Sequence, residues 1–243
     1  MQECTMDFTF TPFMSVPDNP SPVFVIIPAY NEEKVITEVI EGLLPLGYNI
    51  VVVDDGSTTP VLELLHKYPV AVLRHRINLG QGAALQTGIE YALSKQAQYL
   101  VSFDADGQHQ AADITKLLAP LQNGDADICL GSRFLGHSQQ VPAARKRLLK
   151  LARLVNYVFT GLLLTDAHNG LRAMNRKAGE LIKLRQAGMA HATEIIANIR
   201  KQKLRYREVP VEIRYTDYST RKGQTVWSSF RIFFDILLNK IFK

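Results

Sequence analysis

Leu100-Val-Ser-Phe-Asp104-Ala-Asp106-Gly-Gln108-His109 is the stretch on which the reading of this chain turns. Tyr99 to Phe103 is a short run of apolar, aromatic and β-branched residues, too brief for a helix and closed by a Gly-containing turn, and so predicts a strand. Two carboxylates follow at i and i+2, at the C-terminal lip of that strand, where open α/β sheets bind their ligands. Unpaired, they would repel each other. A divalent cation accounts for the pair, and the oxygen set of Asp104, Asp106 and the Gln108 amide suits Mg²⁺ or Mn²⁺, which keep positions open for water and substrate phosphate. Taken alone, the same D-x-D also reads as a solvated acidic turn capping a helix that starts near Ala111. The surrounding chain decides between the two.

Upstream, Val23-Phe-Val-Ile-Ile27 and Ile50-Val-Val-Val53 are continuous apolar runs of strand length, the pattern of a parallel strand buried on both faces. The first breaks at Pro28-Ala29-Tyr30-Asn31-Glu32-Glu33, with Asn31 as the expected N-cap of a helix from Lys34 to about Leu44. The second ends in Asp54-Asp55-Gly56-Ser57-Thr58, ahead of a helix over Pro60 to Tyr68. Capping explains one of these acids and leaves the other for a ligand, such as the base or ribose of a nucleotide; the residues leave open which is which. A third strand, Val70 to Arg74, leads to Asn78-Leu-Gly80-Gln81-Gly82, where two glycines allow close backbone approach at the start of a helix whose amides favour anions. Helix Ala112 to Leu121 and strand Asp127 to Leu130 follow, and the strand runs into Gly131-Ser132-Arg133, whose guanidinium suits phosphate. The alternation predicts an α/β fold in which Pro28 to Glu32, Asp54/Asp55, Asn78 to Gly82 and Asp104 to Gln108 share one edge of one parallel sheet.

The series Pro-Ala-Tyr-Asn-Glu-Glu, Val-Val-Asp-Asp-Gly-Ser, Asn-x-Gly-x-Gly, Asp-Ala-Asp-Gly-Gln-His and Gly-Ser-Arg-Phe resembles the family 2 glycosyltransferases of GT-A fold, in particular the dolichyl- or polyprenyl-phosphate sugar synthases, over roughly residues 23–215. The resemblance implies a Rossmann-like, mostly parallel sheet flanked by helices. It implies that Pro28, Ala29, Tyr30, Glu32, Asp54, Asp55, Asn78, Gly80 and Asp104 bind a UDP- or GDP-sugar, and that Asp104, Asp106 and Gln108 hold the metal on its diphosphate. Arg133 would contact phosphate. Gln81 departs from the Lys or Arg of many relatives.

In the second half, Val141-Pro-Ala-Ala-Arg145-Lys-Arg147 opens a helix expected to reach about Leu164. Its apolar positions recur at helical spacing, while Lys150, Arg153 and Asn156 interrupt them, so residues 143–164 read as a membrane-interface helix or a core helix of the same domain. By the resemblance Arg145 meets the acceptor phosphate, although Leu149 stands where a serine is expected. Thr165-Asp166-Ala-His168-Asn-Gly170-Leu-Arg172 is similar to the family's acceptor loop, with Asn169 in place of Ser and Leu171 in place of Phe; this makes Arg172 a further acceptor-phosphate candidate. Asp166 and His168 are too close in sequence to be paired on that ground alone. His191 and Glu194 begin a helix over Ala192 to Lys203, and Glu194 is the candidate base if the acceptor is a hydroxyl. Tyr206 to Tyr215 alternates around Pro210 as an edge strand. Residues 1–22, Pro-rich and aperiodic, read as a flexible leader; residues 216–243 read as a basic loop and an amphipathic C-terminal helix carrying Trp227, Phe230, Phe234 and Leu237 on one side.

Charge separates the two parts of the chain. Residues 1–142 carry 7 basic and 16 acidic side chains, net −9, whereas residues 143–243 carry 21 and 7, net +14. The basic part is expected to face an anionic partner, and with no basic motif interleaved with aromatics a lipid surface fits better than nucleic acid. Cys4 and Cys129 form no disulfide framework, and no apolar stretch of about 18 residues suggests a membrane span, so a cytoplasmic, peripherally membrane-associated protein is expected. The resulting expectation is a metal-dependent, inverting transfer of sugar to polyprenyl phosphate at the cytoplasmic membrane face. The alternative is transfer to a saccharide or lipid-linked glycan hydroxyl in cell-surface polysaccharide assembly. Whether an integral membrane protein receives the product is open.

Overall fold

Val23–Ala29 forms β1, and its alternate side chains go to opposite sides: Val23, Val25 and Ile27 to one layer, Phe24 and Ile26 to the other. That double burial is why the run is apolar throughout. The computed structural model describes residues 21–135, 157, 161–162, 164–167, 169–188 and 190–214. After β1 come α1 (Ile36–Leu43), β2 (Asn49–Asp54), α2 (Val61–Leu65), β3 (Ala71–Arg74), α3 (Gln81–Ser94), β4 (Tyr99–Ser102), α4 (Asp113–Gln122), β5 (Ile128–Ser132), β6 (Arg172–Asn175), α5 (Arg176–Leu181), α6 (His191–Lys201) and β7 (Tyr206–Pro210). They build one seven-stranded sheet in the order β3-β2-β1-β4-β6-β5-β7, in which only β6 runs antiparallel to its neighbours.

One face is covered by α1, α2 and α4, through Ile36, Val39, Ile40, Leu43, Val61, Leu65, Ile114, Leu117 and Leu118. The other carries α3, α5 and α6, through Leu85, Ile89, Ala178, Ile195, Ile196 and Ile199. Each fully buried Ile or Leu contributes about 1.5–3 kcal/mol. The strand order reverses between β1 and β4, because β1 continues to β2 and β3 on one side while α3 returns the chain to β4 on the other. Loops leaving neighbouring strands in opposite directions open a crevice, and this switch point sets Pro28–Glu32 beside Asp104–Gln108.

Two local readings are corrected. Val35, not Asn31, precedes α1; Asn31 has φ +54° and joins the β1 loop to the β2 loop by accepting from Thr58 N at 2.9 Å and donating its own N–H to Ser57 Oγ at 3.0 Å. The edge strand ends at Pro210 rather than Tyr215, although Ile213 still bridges to His109. The interface-helix segment 143–164 and Arg145 fall almost entirely outside the described residues, as do 1–20 and 215–243. Among the described residues no helix is long and apolar enough to cross a membrane.

Gly88 brings α3 against the sheet. A Cβ there would sit 2.2 Å from Ile26 Cγ2 and 3.3 Å from Val53 Cγ2, both fully buried. Gly88→Ala should cost about 1–3 kcal/mol by overpacking; a denaturation midpoint equal to wild type would show that α3 lifts off the sheet freely.

Asp127 clamps the far end of the sheet. It accepts from Arg205 N, Nε and Nη2 and from Asn175 Nδ2 at 3.0–3.3 Å, and the Arg205 guanidinium holds its carboxyl well below the usual range, at about 2. A folded-state pKa below the unfolded value of about 3.9 adds stability that is complete above pH 4 and lost as pH falls toward 2. With Arg205 largely exposed, that contribution is about 1–2 kcal/mol. Urea melts of Asp127→Asn and wild type should therefore differ by this amount at pH 7, and the gap should narrow below pH 4.

Candidate active site

The loops at the C-terminal ends of the strands are tied to one another in sequence along the sheet edge. Asn31 links the β1 loop to the β2 loop. Asp54, fully buried, accepts from Ser57 N at 2.8 Å and Val61 N at 3.1 Å, so it organises its own loop and the start of α2. Asp55 reaches onward: Oδ1 accepts from Leu79 N at 2.9 Å, Oδ2 accepts from Gly80 N at 2.7 Å, and His75 Nδ1 lies 2.7 Å from Oδ1, with His75 Nε2 3.0 Å from Thr87 Oγ1 on α3. Both acids therefore build loops, a role that the local sequence assigns to only one of them.

The glycines of the next loop serve a protein neighbour. A Cβ on Gly80 would lie 2.4 Å from Ala187 O, and one on Gly82 would lie 2.1 Å from Gln186 O; Gly82 N donates to Ala187 O at 2.7 Å. The Gly pair does mark a close approach, and the segment that approaches is the backbone of 186–188. That segment is held in turn by Glu194, which accepts from Arg185 N and Gln186 N at 2.9 Å, and by Gln86 Oε1, which accepts from Leu184 N. From the same loop, Gln81 Nε2 donates to Asp104 Oδ1 at 3.1 Å.

Asp104 sits at the meeting point. His109 Nε2 lies 2.9 Å from its Oδ2, and Gly170 lies against the carboxylate so closely that a Cβ would come within 2.0 Å of Oδ2. Ser102 Oγ donates to Gly170 O at 2.7 Å, fastening the 166–172 loop to the lip of β4. Burial raises the Asp104 pKa, but His109 above all, with His191 and Arg172, outweighs that and leaves it lowered. Asp106 moves the other way: burial and the Asp104 charge raise it, against the hydrogen bond from Gln108 N at 3.0 Å, and Glu32 adds to the rise. Glu32, Asp104 and Asp106 thus share one field, and a cation placed among them would relieve it.

The donor set fits a hard divalent ion. Two carboxylates and the Gln108 amide give oxygens only, and among the described residues no group of three or more His, Cys, Asp or Glu could ligate a metal unaided, so phosphate and water would complete the shell. Among the described residues His109 Nδ1 is buried with no hydrogen-bond partner, a cost of about 1–3 kcal/mol.

At the β5 lip, Arg133 donates from Nε to Asp166 Oδ2 at 2.6 Å and from its backbone N at 3.2 Å. Glu208 on β7 accepts from Thr165 N and Oγ1, and Thr165 Oγ1 lies 2.7 Å from Ser132 Oγ. Arg172 is buried beneath the loop, donating to Asn169 O at 3.0 Å and Ala167 O at 3.3 Å; burial lowers its pKa to about 10. Its charge therefore acts on the loop from below. Of the nucleotide candidates, Tyr30 is exposed at the mouth, Pro28 and Glu32 are half-buried, and Ala29 O accepts from Asp55 N. Asn78 is exposed beside Gly80. His168 and Arg145 lie outside the described residues. Sequence reasoning missed His75, Glu208 and the role of His109; only His109, quoted beside the acids, carried any local signal.

The model of the family described as "Glycosyl transferase family 2" matches residues 24–182. The chain is 32% identical to the UDP-N-acetylglucosamine--dolichyl-phosphate N-acetylglucosaminyltransferase of Methanococcus voltae, over 91% of this chain and 97% of that protein. It is 33% identical to the dolichol-phosphate mannosyltransferase of Pyrococcus furiosus, over 86% of this chain and 62% of the relative. In three dimensions it is similar to the crystal structure of glucosyl-3-phosphoglycerate synthase from Mycobacterium tuberculosis in complex with Mn²⁺, uridine diphosphate and glucosyl-3-phosphoglycerate, with a TM-score of 0.61 and 19% identity over 83% of this chain and 75% of that one. A mostly parallel sheet with acids at its switch point and a family match over more than half of the chain lead to one assignment: the protein is a glycosyltransferase of GT-A fold that belongs to glycosyl transferase family 2.

Proposed function

We propose that the chain moves a sugar from a UDP- or GDP-sugar to a polyprenyl phosphate, with inversion at the anomeric carbon and with a divalent cation, at the cytoplasmic face of a membrane. The observation that carries the acceptor class is that Glu194, the candidate base for a hydroxyl acceptor, is already committed, as is Asp166 of the acceptor loop. Glu194 accepts from two backbone N–H groups of the 183–188 segment, and Asp166 is ion-paired with Arg133. A phosphate monoester, with its second pKa near 6, is an oxyanion at neutral pH and needs no base. Relatives named for dolichyl-phosphate and dolichol-phosphate transfer support the same acceptor.

In this reading Asp104, Asp106 and Gln108 hold the cation on the donor diphosphate. When bound, it supplies charge neutralisation for the departing nucleoside diphosphate. Tyr30, Glu32 and Asp55, with Pro28 and Ala29, bind the nucleoside, and Asp54, Asn78 and Gly80 shape the loops around it. Arg133, fixed by Asp166, offers positive charge to phosphate, Arg145 serves the acceptor phosphate, and Arg172 supports the acceptor loop from below. The basic excess of residues 143–243 draws the protein to an anionic lipid surface.

The test is a donor screen on the full chain in detergent with Mn²⁺ or Mg²⁺, a short polyprenyl phosphate and each common UDP- or GDP-sugar. Lipid-linked sugar of inverted anomeric configuration is expected from one donor. Donor hydrolysis without lipid product would shift the acceptor to a hydroxyl, and no turnover of any donor would overturn the proposal.

A further inference from the structure

We propose that His109 is a positioning residue for metal binding: its Nε2–H holds the Asp104 carboxylate in the orientation that a divalent cation requires. The inference rests on the reading of Asp104 and Asp106 as metal ligands.

His109 packs as an apolar residue would. Its ring is buried, meets the Phe103 ring edge-on at 5.4 Å, and belongs to a segment whose backbone bridges to Ile213. Packing gives no reason for an imidazole in that place, because Nδ1 is buried without any hydrogen-bond partner among the described residues. A ring or branched side chain of similar volume would fill the space and leave no polar atom stranded. Among the described residues the one contact that needs a nitrogen is the 2.9 Å approach of Nε2 to Asp104 Oδ2. Nε2 meets a carboxylate there and so carries a proton.

Asp104 is gripped through both oxygens. Gln81 Nε2 donates to Oδ1, His109 Nε2 donates to Oδ2, and Gly170 closes the space beside the carboxylate. A donor on each oxygen restrains rotation about the terminal bond and leaves each oxygen with a lone pair for a cation. Among the described residues Asp106 has only the backbone N–H of its own turn, from Gln108. The rigid ligand of the pair is thus Asp104, and the group that makes it rigid from the buried side is His109. Hydrogen-bond partners of this kind set metal affinity by ten- to a hundredfold.

The experiment is Mn²⁺ titration of the full chain, followed by the electron paramagnetic resonance of free Mn²⁺, on wild type, His109→Leu and His109→Gln. Gln can place its amide N–H near the position of Nε2, and Leu cannot. We expect Leu to weaken Mn²⁺ binding ten- to a hundredfold and Gln to recover most of it, with unfolding midpoints of the two variants close together. Equal Mn²⁺ affinity in Leu and wild type, or a Gln variant no better than Leu, would overturn the role. Wild-type protein that binds no Mn²⁺ would remove the metal reading itself, and this inference with it. A measurement independent of variant folding is the imidazole ¹⁵N spectrum of wild-type His109: a proton on Nε2 is expected, and an Nε2 without a proton contradicts the proposal.

Discussion

Asp106→Asn should lower sugar transfer by about a thousandfold without lowering the unfolding midpoint. The substitution is close to isosteric, and the Asn amide oxygen still accepts from Gln108 N, so the turn after β4 keeps its shape. What disappears is one of two negative charges on a group that is only partly buried and spans no elements. Asp104 and Asp106 stand close enough for the charge of one to raise the pKa of the other, a repulsion that a bound cation would offset. Removing one charge therefore relieves strain in the free protein while it halves the attraction for a divalent ion. The check pairs product formation in the donor screen with a thermal melt. Activity within tenfold of wild type, still dependent on Mn²⁺, would sink the assignment of Asp106 as a ligand.

The sequence disclosed those features whose cause is local. Val23–Ile27 and Ile50–Val53 were legible because burial on both faces leaves no polar position to blur the run. Asp104 and Asp106 were legible because a pair of acids at the end of a buried strand is costly unless a cation neutralises it. β6 was not legible: Arg172-Ala-Met-Asn175 shows no alternation and no long apolar run, and it becomes a strand only because β4 and β5 bond it from both sides. The same distinction holds within the site. Asp54 and Asp55 stood out as unusual, yet the work of Asp55 depends on partners such as Leu79 N and Gly80 N, more than twenty residues away. Gly80 and Gly82 announced a close approach, but what approaches, the 186–188 backbone, lies about a hundred residues further on. Local chemistry marks a position; only the fold supplies its partner.

Gly170→Ala is expected to reduce transfer at least a hundredfold with little loss of stability, and its consequence runs opposite to that of Gly88→Ala. At Gly88 the added methyl meets buried branched side chains, so the helix must shift and the cost falls on folding. At Gly170 the atoms in the way are Oδ1, Oδ2 and Cγ of Asp104, all within 2.6 Å of the new Cβ. A carboxylate at a partly open site can turn aside without disturbing the core. To turn, however, it must give up the Gln81 and His109 donors, and it then no longer faces the position it shares with Asp106. The loop has little freedom to retreat instead, because Ser102 Oγ binds Gly170 O and Arg172 holds Asn169 O and Ala167 O from below. The methyl group therefore displaces Asp104 rather than the loop. Measured together, a near-normal unfolding midpoint and a collapsed turnover number would place Gly170 in the catalytic geometry. Turnover close to wild type would mean that the 166–172 loop can move away from Asp104, and that the two are less tightly joined than their contacts indicate.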